Sequence, residues 1–131
     1  MTPLQNLYYA IGELAYAMAS ADGEVQKAER QKFHDIVTEE LNNEHFGFDL
    51  SIIIFQIMDK ERVKTKDAYN WAMNQMRINS HYLSPKLKET FIRILEKIAE
   101  AYPPVTAAEL VFLEKFKNDM SELRGDPVYY L

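Results

Sequence analysis

The chain has 131 residues, 47% of them hydrophobic and 27% charged, with a net charge of −5 and no cysteine. Such a length suits one globular domain over residues 1–131 with a single core, and the absence of cysteine excludes disulfides, thiolate metal centres and cysteine nucleophiles. The densest basic stretch, KERVKTK at 60–66, is interrupted by Glu61 and free of aromatics, and no apolar run nears the ~20 residues of a membrane span. Both facts argue against nucleic acid and membrane insertion, so a cytoplasmic protein is expected.

Apolar residues recur at helical spacing and never alternate, which predicts an all-α fold, a compact bundle of six to seven helices. The first opens at TPLQ, with Thr2 as N-cap, Pro3 in the first turn and Gln5 as reciprocal partner. It carries Leu4, Leu7, Ile11, Leu14 and Met18 and ends at the Asp22-Gly23 turn. A second helix bears Phe33, Ile36, Val37 and Leu41, then stops at NNEHFGF, the internal segment expected to be most easily nicked. Asp49 is the expected cap of a third, with Leu50, Ile53, Ile54, Ile57 and Met58 inward. Ile52 and Phe55 widen that apolar face, which marks this helix as the central one. Thr65 is the expected cap of a fourth, bearing Tyr69, Ala72, Met73 and Met76 with Trp71 beside them. Ser84 and Pro85 start a fifth with Leu87, Phe91, Ile94, Leu95 and Ile98. A sixth spans Thr106 to Arg124 through Leu110, Leu113, Phe116, Met120 and Leu123. The tail GDPVYYL carries Val128, Tyr129, Tyr130 and Leu131, expected to fold back on the bundle or dock into a neighbour.

An offset of 80 residues brings Ala19, Ala21, Val25, Ala28 and Glu29 onto Ala99, Ala101, Val105, Ala108 and Glu109, with Phe33 and Ile36 on Leu113 and Phe116. Two pseudo-repeated helical hairpins plus central helices follow. ADGEVQKAE in the first copy becomes AYPPVTAAE in the second, so the glutamate persists while its acidic neighbours vanish. Thr106 to Glu109 spells a capping box, and Glu29 holds the same N3 position behind Gln26. Two readings of the first copy stand side by side: helix punctuation, or a divalent-cation site built from Asp22, Glu24 and Glu29. An EF-hand is excluded, because counting from Asp22 puts Lys27 at the loop-glycine position and Phe33 at the bidentate-glutamate position.

The segment LAYAMASADGEVQKAER, followed by Phe33 and Ile36 and echoed near the C-terminus, resembles the TerB-like domain, named for a bacterial tellurite-resistance protein and also found in some membrane-anchored J-domain co-chaperones. The resemblance implies an all-helical fold of two related halves, a cytoplasmic bacterial setting, and a stress-response role in scaffolding or sensing rather than catalysis. It also implies an acidic patch for a divalent metal, which carries over to Asp22, Glu24 and Glu29 alone. Tyr102, Pro103 and Pro104 depart from the family's repeated Asp-Gly, which counts against a second site.

His34, His45 and His81 are scattered and no Glu-x-x-His pair exists, so di-iron carboxylate chemistry has no basis. Glu39, Glu40, Glu44, His45 and Asp49 gather in an oxygen-rich stretch, read as solvated acids. Tyr8, Tyr9, Tyr16, Trp71 and Tyr82, at helical spacing, read as core before partner surface. The expected function is a non-enzymatic interaction or scaffold module with a protein partner, a homodimer included. The alternative is a metal-dependent enzyme using the same carboxylates, for which the sequence supplies no nucleophile or acid–base partner.

Overall fold

The computed structural model of the protein describes residues 1–41, 45–101 and 103–131, with 45–48 as backbone only. Its elements are α1 (Pro3–Ala19), α2 (Lys27–Glu40), α3 (His45–Glu61), α4 (Thr65–Ile78), a 3-10 turn at Ser80–Tyr82, α5 (Pro85–Glu100), α6 (Ala107–Ser121) and the single turn α7 (Pro127–Tyr130). The fold is all-α, with no strand among the described residues. Of the NNEHFGF segment, residues 42–44 lie outside the described residues, as does Tyr102; the remainder of that segment is the first turn of α3.

Local chemistry explains where the helices begin. Thr2 Oγ1 accepts from the Gln5 N–H at 3.1 Å while Gln5 Oε1 accepts from the Thr2 N–H at 2.8 Å, and Thr106 and Glu109 make the same reciprocal pair at 3.1 and 3.0 Å. Ser84 caps α5 through the Leu87 N–H. Two expected caps are corrected. α3 starts four residues before Asp49, which lies inside the helix and faces solvent, where an aspartate is only mildly unfavourable. Lys64, not Thr65, is the N-cap of α4. The Thr65 hydroxyl is engaged elsewhere: it lies 2.7 Å from Ser20 Oγ and donates to the Ser20 carbonyl at 3.1 Å.

The central helix is α1, not α3. Every residue from Ala10 to Ala19 is buried, and α1 packs against α3, α4, α5 and α6. Size decides this more than hydrophobicity. Ala10, Gly12, Ala15, Ala17 and Ala19 let neighbouring backbones come close; a Cβ added to Gly12 would overlap Ile54 Cγ2 and stand 2.5 Å from the Ser51 carbonyl oxygen. α3 buries Ile54, Phe55 and Met58 but leaves Ile53 and Ile57 half exposed, correcting their inward assignment.

The two hairpins exchange partners. α2 packs on α5 of the other hairpin, and α6 packs on both α5 and α1. Phe33 of α2 stacks on Phe55 at 4.3 Å between centroids, and Tyr8 meets Phe91 edge-on at 6.0 Å. On α6 the inward residues are Glu109, Phe112, Phe116 and Met120, so Leu110 is exposed where the sequence placed it inward. The tail folds back as expected only in part. The Asp126 N–H donates to the His81 carbonyl at 3.0 Å, and the Tyr129 ring packs 4.8 Å from His81 and 5.3 Å from Tyr82. Val128 and Leu131 are 82% and 98% exposed, because a single helical turn seats only one side.

Candidate functional site

The Asp22-Gly23 turn closes α1 through a 2.9 Å bond from the Gly23 N–H to the Ser20 carbonyl, with Gly23 at φ +107°, a conformation glycine adopts freely. Asp22 and Glu24 are exposed here, whereas Glu29 is 2% exposed. The Glu29 carboxylate accepts from the Gln26 N–H at 2.8 Å, the capping role its position implied. The three carboxylates are therefore divided between solvent and interior. Among the described residues no group of three His, Asp or Glu side chains is placed to hold a metal ion.

Burial pushes the Glu29 pKa up to about 7; the Gln26 N–H opposes the rise, the Glu109 and Asp22 carboxylates add to it, and Arg30 opposes it. Glu109, equally buried, is its counterpart in the second hairpin. The pseudo-repeat thus brings its two N3 glutamates within electrostatic reach of each other.

Beside the turn lies an open cleft of about 650 Å³. Its walls are the end of α1, the start of α2 and the α3–α4 connection. Tyr16 ties that connection down, its hydroxyl donating to the Val63 carbonyl at 2.6 Å, and the Ser20–Thr65 bonds hold the next turn. Arg30 clamps Asp59 with Nε at 2.6 Å and Nη2 at 3.3 Å. Lys60, Arg62 and Lys64 complete the basic side, and among the described residues none of the three has an ion-pair partner. The stretch KERVKTK supplies all three. In the sequence it is an interrupted basic run; only the packing of the 17-residue helices α1 and α3 side by side brings their C-terminal ends together.

Asn6, Glu13 and Ser20 recur every seven residues on α1 and share a face. Asn6 donates to Asn79 at 3.4 Å and Ser20 meets Thr65, a register that sets Ala72 of α4 opposite Glu13. Glu13 is 4% exposed, its Oε1 has no hydrogen-bond partner among the described residues, and burial raises its pKa to about 7. The expected acidic stretch before α3 is not an open cluster: Glu40 pairs with Arg93 at 3.1 Å and Lys97 at 2.8 Å, while Glu44 and the His45 side chain lie outside the described residues.

Of the aromatics read as core, Tyr8 and Tyr16 are buried and Tyr9 and Tyr82 partly so, but Trp71 is exposed. α4 buries Ala68, Ala72 and Met76 and turns Tyr69 toward α6, where its ring meets Phe112 and its hydroxyl donates to Asp119. Trp71 and Ile78, one heptad apart, fall on the remaining side. α3 gives Ser51 and Ile54 to α1 and Phe55 to α2, leaving Ile53 and Ile57 on its side away from α2. α3 and α4 both pack along α1, so each carries one exposed apolar pair outside that contact.

Comparison of the chain with protein-family models, curated proteins and solved structures gives no match. Among the described residues no helix is long and apolar enough to cross a membrane.

Proposed function

We propose that the protein is a non-enzymatic helical interaction module that engages a protein partner through the α3–α4 face. One observation carries this reading: Ile53, Ile57, Trp71 and Ile78 are 49–60% exposed on two helices that both pack along α1. Single exposed apolar residues are ordinary, but four large ones on two helices that share α1 as neighbour form the kind of patch that a partner covers. A tryptophan at such a place is the residue type most enriched among binding hot spots. The likeness of the first hairpin to TerB-like domains points the same way, toward scaffolding or sensing in a bacterial stress response.

The occupant fitting this face is an apolar helix side laid between α3 and α4, an arrangement met repeatedly in helix-in-groove recognition. A photo-crosslinking amino acid at position 57 or 71, introduced in the native host, should give a discrete adduct, whereas one at Lys117 should not. An adduct of twice the chain mass would identify a second copy as the occupant. Failure of both face positions to capture any protein would contradict the proposal.

A further inference from the structure

We propose that the basic cleft at the end of α1 is a binding site for a small ligand bearing phosphate groups. It is separate from the α3–α4 face and does not depend on the reading above. Four cationic side chains, Arg30, Lys60, Arg62 and Lys64, line the cleft against two carboxylates, in a chain whose net charge is −5. One of those carboxylates, Asp59, is already held by Arg30. The other, Glu24, is exposed at the turn, and neither Asp22 nor Glu61 lines the cleft. Concentrating unpaired cations in a concave site on an acidic protein focuses a field that attracts anions.

A second observation concerns the backbone. α3 ends in a Schellman turn: the Val63 N–H reaches the Met58 carbonyl at 3.1 Å and the Arg62 N–H reaches the Asp59 carbonyl at 3.3 Å. The residue in the left-handed position of that turn is Arg62, at φ +51°, where glycine would be the unstrained choice. An arginine kept in an unfavourable conformation at the wall of a basic cleft indicates that its side chain is wanted there. The N-terminus of α4 opens at the same wall through Lys64 and Thr65, and among the described residues no side chain caps it. Its free amide groups suit a phosphate oxygen, while lysines and an arginine neutralise the charge.

The volume of about 650 Å³ admits a diphosphate with an organic group attached. Phosphate of this kind occurs on soluble molecules and on lipid headgroups, and two probes separate the sources. Sodium pyrophosphate would be titrated into the full chain at fixed ionic strength, followed by amide NMR, with sulfate as the control anion. Phosphatidic acid vesicles would be compared with phosphatidylcholine vesicles by co-sedimentation. We expect saturable binding of at least one phosphate probe, with shifts at Gly23, Arg62, Lys64 and Thr65. Arg62→Gly should weaken that binding at least tenfold while raising the melting temperature, and Lys64→Gln should weaken it with melting unchanged. The opposite signs in Arg62→Gly separate lost binding from lost folding. Absence of saturable binding by both probes, binding equal to that of sulfate, or unchanged affinity in both variants would overturn the site.

Discussion

Glu13 is a carboxyl whose helix neighbours on the same face, Asn6 and Ser20, find polar partners, while among the described residues its own Oε1 finds none. An acid whose pKa rises on folding loses its proton first in the unfolded chain. Between 4.5 and about 7 the folded state binds more protons, so stability falls as pH rises through that window and levels off above it. The full rise from 4.5 to about 7 corresponds to about 3 kcal/mol as an upper figure. Glu29 adds a slope of the same sign in the same window. Thermal melts should therefore show higher stability near pH 5 than near pH 8. Glu13→Gln should raise the melting temperature at pH 8 and flatten the profile, and Glu29→Gln should flatten it too while keeping an oxygen for the Gln26 N–H. Profiles identical to wild type in both variants would show that neither carboxyl is raised.

Between residues and elements stands the α1–α3 contact, which depends on Gly12. Placing alanine there favours the helix by about 1 kcal/mol in propensity but drives a methyl into the Ser51 backbone and Ile54. Overpacking of that kind costs about 1–3 kcal/mol, and backbone cannot step aside as a side-chain tip can. Gly12→Ala should accordingly lower the melting temperature, with a higher one meaning that the two helices are not in such close contact. This contact also explains what the sequence revealed about the elements. Helix number, order and four of the six capping assignments are readable from Thr2, Glu29, Ser84 and Thr106, because caps are local chemistry. The identity of the central helix was not. LSIIIFQIM looked more buried than the alanine-rich α1 because apolar content measures the wish to leave water, not which surface does the covering. α3 spends Ile54, Phe55 and Met58 on the core and leaves Ile53 and Ile57 outside, whereas α1 is buried because it is narrow.

At the scale of the molecule, the candidate site shows the same division. The Asp22-Gly23 turn borders the cleft, but the cations facing it come mainly from residues 60–64, some forty positions later. The turn by itself presents carboxylates, whereas the assembled cleft presents cations. The exposed face was hidden for a related reason, since Trp71 has the helical spacing of a core residue and only the packing of α4 between α1 and α6 shows that it points elsewhere. The measurement that bears most directly on the interaction module uses the absence of native cysteine. Ile57→Cys and Trp71→Cys, with Lys117→Cys as reference, would each be labelled with a maleimide in intact host cells and in dilute purified protein. Rapid labelling is expected at all three positions in the purified protein, with strong protection in cells at 57 and 71 only. Equal labelling of 57, 71 and 117 in cells would mean that nothing covers the face, and would contradict the interaction module.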